Sequence, residues 1–125
     1  MNKMNPVVWV EVPVSNMDRA IKCYNTLFDW KLEKINLGGL IMAWFPGQPE
    51  LHGSSGSLVQ QTSYVPSQEG PLIYFNCADV QIQVDRLAQA SCTLIRKKTQ
   101  ISEEHGYMAL AIDTEGNRIA FHSAE

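Results

Sequence analysis

The chain has 125 residues and a formal net charge of −3, with 45% hydrophobic and 18% charged side chains. This length supports one core and excludes two independent ones, and the charge balance leaves no electrostatic footprint for nucleic acid. The one basic run, Arg96-Lys97-Lys98, is short and reads as a solvated strand edge.

No apolar run approaches the roughly 18 residues of a membrane span, and the opening MNKMNPVVWVEV has no stretch of signal-peptide length. The three cysteines, Cys23, Cys77 and Cys92, are an odd number without a CxxC pair. They read as free, mostly buried thiols of a reducing compartment, and none has a neighbouring base in sequence. The expectation is a cytoplasmic protein with no nucleic-acid partner and no membrane partner.

In chain order, residues 8–14 alternate between apolar and polar and predict a strand. Ser15, Asn16 and Asp18 are helix-start residues, and Met17, Ile21, Tyr24 and Phe28 then recur at helical spacing. Strand candidates follow at about 31–35, 40–45 and 57–61. Leu37-Gly38-Gly39 is a turn between two of them, and the Gly-, Pro- and Ser-rich segment 46–56 reads as a mobile loop. A linker occupies about 62–70.

The pattern then starts again. Residues 72–77 form a strand, Asp79 is an N-cap, and Val80, Val84 and Leu87 make the helical stripe. Further strands are expected at about 93–97, 107–112 and 118–123, the last entered through the turn Asp113-Thr114-Glu115-Gly116-Asn117. Moving the first half forward by about 63 positions superposes strand, cap and helix, with Trp9 on Leu72 and Ile21 on Val84. The copies share pattern more than residues. The reading is a single α+β domain, 1–125, built of two βαβββ modules at about 6–61 and 71–125.

Three stretches, VPVSNMDRAIKCYNTLFDWKL, YFNCADVQIQVDRLAQAS and EHGYMALAIDTEGNRIAFHS, resemble the vicinal oxygen chelate superfamily. This is the glyoxalase, bleomycin-resistance and extradiol dioxygenase group, and the likeness is closest to its small bacterial glyoxalase-related proteins. The resemblance implies that the two modules form a curled mixed sheet around a cavity, with the helices outside. It also implies metal ligands on the first and fourth strands of each module in metal-dependent members. Here those positions fall on Trp9, Leu72 and Ala120, with the fourth somewhere in 57–61, where no histidine or carboxylate stands. Indole, isobutyl and methyl groups donate nothing to a cation, so neither metal nor cofactor is expected.

Strand parity places further residues on the cavity face: Glu11 with Trp9, Tyr74 and Asn76 with Leu72, and Arg118 and His122 with Ala120. An apolar floor of Trp9, Leu72 and Ala120 ringed by Glu11, Tyr74, Asn76 and His122 suits a small-molecule ligand. Each polar group has two readings. Glu11 is a rim residue or a partner of Arg118, or else a buried general base. His122 frays into solvent, or else shuttles a proton. Tyr74 and Asn76 line the sheet or contact ligand. His52 lies in the loop, and His105 lies in a turn near the rim.

The expected function is metal-independent small-molecule binding, ligand unknown, by a homodimer. The alternatives are a lyase- or isomerase-type enzyme acting on a small carbonyl or hydroxy compound through Glu11 and His122, a displaced divalent-metal site built from Glu11, His122 and another histidine, and a non-catalytic accessory module.

Overall fold

The two βαβββ patterns fold as two modules in a computed structural model that describes residues 5–48 and 50–125. Residues 1–4, part of the opening read for a signal peptide, and Pro49 of the 46–56 loop lie outside the described residues. Module one contains β1 (Trp9–Pro13), α1 (Met17–Phe28), β2 (Ile35–Leu37), β3 (Leu40–Trp44) and β4 (Ser55–Gln60). Module two contains β5 (Ile73–Asn76), α2 (Val80–Arg86), β6 (Thr93–Ser102), β7 (Gly106–Ile112) and β8 (Arg118–Ser123). Each module makes its own open four-stranded sheet, ordered β1-β4-β3-β2 and β5-β8-β7-β6. In both, the first and last strands run parallel side by side, and the other pairs are antiparallel.

The helices start where the cap residues stand. Asn16 and Asp79 both have extended backbone and accept a backbone N–H, from Arg19 and Gln81 respectively. They are 63 positions apart, the offset of the sequence repeat. Helix α1 buries Met17, Ala20, Cys23, Tyr24 and Leu27 along one face and ends at Asp29 in the left-handed region, φ 57.

Some boundaries differ from the sequence expectation. The second strand, expected at 31–35, forms at Ile35–Leu37. Residues after the helix turn back across its end instead: Trp30 stacks on Phe28 at 4.5 Å, and Leu32 N–H donates to Asn25 Oδ1 at 2.9 Å. Strand β4 begins at Ser55, earlier than expected. Strand β6 runs on to Ser102 because β7 continues to pair with it through three register shifts. Arg96 and Lys97 lie exposed on β6, the edge strand, as the basic run suggested.

The sheets meet through their helix-side faces. Phe45, just past β3, and Phe75 on β5 have ring centroids 5.6 Å apart, and Tyr24 and Phe28 of α1 pack on Phe75 as well. Val12, Leu58 and Ala43 from one sheet and Ile119, Phe121 and Ala109 from the other join a single buried cluster. The opposite faces of the two sheets, carrying Trp9 and Tyr74, therefore point away from this shared core.

Candidate functional site

On the open face of the first sheet, register sets Glu11 beside Ser57 and Ser57 beside Trp44, across β1, β4 and β3. Trp9, one pleat before Glu11, meets Trp44 edge-on, with ring centroids 6.5 Å apart and planes at 89°. The two indoles are 44% and 50% exposed and form a corner. Ser57 lies beneath it at 0% exposure, and its Oγ has no hydrogen-bond partner. Glu11 is exposed and accepts a hydrogen bond from Tyr64 Oη at 3.2 Å, which raises the Tyr64 phenol above its ordinary value. The partner is thus Tyr64 and not Arg118, whose guanidinium instead reaches Gly70 O at 3.4 Å. Burial, which would make Glu11 a base by desolvation, is absent in the single chain.

On the open face of the second sheet, Tyr74 pairs with Ala120 and Asn76 with His122. Tyr74 is 50% exposed, whereas Ala120 is fully buried between its neighbours. Leu72 is half-buried at the entry to β5. His122 does not fray, because β8 lies between β5 and β7 and pairs with both. Its Nε2 stands 2.6 Å from His105 O. A carbonyl oxygen can only accept, so Nε2 carries a proton in this contact. His105 therefore touches the site through its backbone. His52 is exposed in the loop.

The single chain thus gathers Trp9 and Glu11 on one face and Tyr74, Asn76, Ala120 and His122 on another. Among the described residues β1 contacts β4 and no strand of the second sheet, so Glu11 and His122 do not converge within one chain.

Register also resolves the position left open in the sequence. Tyr74 pairs with Ala120, and their counterparts 63 positions earlier, Glu11 and Ser57, pair likewise. Ser57 is the missing counterpart of Ala120, and applying the repeat offset to Ala120 would have found it. The four positions are then Trp9, Ser57, Leu72 and Ala120, which offer one neutral hydroxyl and no imidazole, carboxylate or thiolate. This donor set does not fit a divalent ion. Among the described residues no group of three or more His, Cys, Asp or Glu side chains is placed to hold a metal.

The DTEGN turn does more than close a hairpin. Asn117 Nδ2 donates to Pro13 O at 2.7 Å, and Asn117 Oδ1 accepts from Ser67 N at 3.1 Å. Glu115 accepts the Ser15 and Asn16 backbone N–H groups at 2.9 Å and the Arg19 Nε at 2.7 Å. The turn binds module one and the linker to module two. An open cleft of ≈ 480 Å³, lined by Val14, Ile41, Gln60, Tyr64 and Val65 among others, lies where β4 runs into that linker.

Solved structures share this architecture. A glyoxylase/bleomycin resistance protein/dioxygenase domain from Frankia sp. EAN1pec matches with TM-score 0.72 and 16% identity, over 98% of this chain and 100% of the other. The trypanothione-dependent glyoxalase I of Leishmania major matches with TM-score 0.68 and 16% identity, over 97% and 88%. Glyoxalase I from Zea mays matches with TM-score 0.67 and 14% identity over 95% of this chain, which spans 46% of the maize chain. At these identities the likeness establishes the fold. No curated protein sequence matches the chain. Residues 6–121 match the Glyoxalase/Bleomycin resistance protein/Dioxygenase superfamily as a family, and the chain belongs to it.

Proposed function

We propose that this member of the superfamily is a metal-independent small-molecule binding protein of the bleomycin-resistance type, with its ligand seated against the Trp9–Trp44 corner. One observation carries the reading: the four positions expected to hold metal are Trp9, Ser57, Leu72 and Ala120, while the surrounding face keeps two half-exposed indoles and an unpartnered buried hydroxyl. A flat ligand ring would stack in the corner.

The protein acts as a cytoplasmic homodimer in this reading. Trp9, Trp44 and Tyr74 are each about half exposed on two open faces of one chain. A second copy laying its Tyr74 face over the Trp9 face would cover these rings and set Asn76 and His122 opposite Glu11. The pocket would then be a shared one.

Thermal-shift screening of purified protein against a metabolite panel, with and without chelator, tests the proposal. A binding compound should raise the melting temperature by several degrees at a hundredfold excess over Kd, equally in chelator, and Trp9→Ala should abolish the shift. A stoichiometric divalent ion that survives dialysis would overturn the metal-independent reading. A monomer by sedimentation at micromolar concentration would overturn the shared pocket.

A further inference from the structure

The core between the modules holds a pair of thiols that ligand binding does not use. Cys23 is buried in the middle of α1, and Cys92 is half-buried in the link from α2 to β6. Their Sγ atoms stand 3.1 Å apart although the residues are 69 positions apart in sequence. Spacing in sequence could not reveal this contact; packing of α1 against the second module creates it.

We propose that Cys23 and Cys92 form a reversible, peroxide-driven disulfide that clamps the first module to the second. Closing the bond needs the sulfurs to approach by about 1 Å, to the ~2.05 Å of a disulfide. Cys92 is the half-exposed member and gives a small oxidant its approach. The contact with Cys92 outweighs burial and lowers the Cys23 thiol below its ordinary value, while the same contact pushes Cys92 up. Cys23 is therefore the attacking sulfur.

The chemistry balances with hydrogen peroxide as the oxidant. The accessible Cys92 sulfur, losing its proton, attacks one peroxide oxygen, the O–O bond breaks, and the leaving hydroxide takes that proton to become water. Cys92 is now a sulfenic acid. The Cys23 sulfur, losing its proton, attacks the Cys92 sulfur, the S–O bond breaks, and the hydroxyl leaves with that proton as a second water. Two thiols lose two electrons, and one peroxide yields two waters.

The bond would close a loop that contains β2, β3, β4, the linker, β5 and α2. It would lie beside the Tyr24–Asp113 hydrogen bond and hold the two open faces in one relative orientation. Cys77 is a built-in reference: burial pushes its thiol up to about 11, and its Sγ–H points at Phe75 O at 3.4 Å.

The test uses the reduced full chain, treated with stoichiometric hydrogen peroxide, then denatured, alkylated and weighed intact. The expected result is a loss of about 2 Da, one alkylated thiol where the reduced protein has three, and a peptide cross-linking Cys23 to Cys92. The melting temperature should rise by at least about 5 °C and return on addition of dithiothreitol. Cys77→Ala should keep the loss of about 2 Da, the cross-link and the melting shift, with no alkylated thiol where its reduced form has two, and Cys92→Ala should remove the cross-link and the shift. Three alkylated thiols after oxidation, a cross-link through Cys77 or between chains, or an unchanged melting temperature would each overturn the clamp. Should Cys92→Ala not fold, the cross-link map of the unmodified sequence decides alone.

Discussion

The Tyr24 hydroxyl donates to Asp113 Oδ2 at 2.7 Å, joining the helix of the first module to the last turn of the second. Asp113 Oδ1 also accepts the backbone N–H groups of Glu115 and Asn117, at 2.8 and 2.9 Å. Burial, and then the adjacent Asp113 charge, push the Tyr24 phenol well above its ordinary value of 10.0. A group raised on folding contributes fully below its unfolded pKa and loses that contribution as pH climbs toward the folded value. Tyr24→Phe should therefore cost about 1–2 kcal/mol at neutral pH, because a buried acceptor loses its donor. Denaturant midpoints check the cost. Unfolding followed above pH 10 should fall less steeply in the variant.

Glu115 works at the acid end. Burial opposes its ionisation, but hydrogen bonds from Arg19, the Asn16 N–H, Thr114 and the Ser15 N–H outweigh it and hold the carboxyl below its ordinary 4.5. A carboxyl depressed on folding contributes above the unfolded value and loses the contribution as pH falls through the folded one. Glu115→Gln should cost about 1–2 kcal/mol at pH 7 and less as pH drops below about 4. Equal costs at pH 7 and pH 3 would show that the carboxylate does not carry this contact.

Ser57 and Ala120 occupy the same place in the two modules, yet one is a buried hydroxyl without a partner. Desolvating that hydroxyl with nothing to bond costs stability. Ser57→Ala is expected to stabilise the protein by about 1 kcal/mol, read from denaturant midpoints. Loss of stability instead would show that the buried hydroxyl has a partner in solution.

Gly56 faces Val10 across the parallel pair of β1 and β4. A Cβ there would run into Val10 O, a backbone atom that cannot rotate away. Gly56→Ala should separate the parallel pair and cost at least about 3 kcal/mol, visible as a drop in melting temperature. A variant as stable as the parent would mean the strands can shift without loss.

Much of the fold was readable because local chemistry repeats. The caps Asn16 and Asp79, the stripe of α1 and the alternation in β1, β5 and β8 need no long-range partner to declare themselves. Strand β2 was misplaced because Trp30 and Leu32 are apolar enough for a strand but pack across the end of α1. The site divides in the same way. Which residues of one strand share a face followed from pleat parity.

The sequence by itself determined the two modules and which residues share a strand face, because both depend on residue identity and short periodicities. Tertiary structure decided what meets what across the chain. It turned the sheets so that Phe45 touches Phe75 and left Trp9 and Tyr74 on separate open faces. It brought Glu115 to the start of α1, and Cys23 to Cys92. Contacts between residues far apart in sequence follow from how the modules pack, and no spacing within either module encodes that packing.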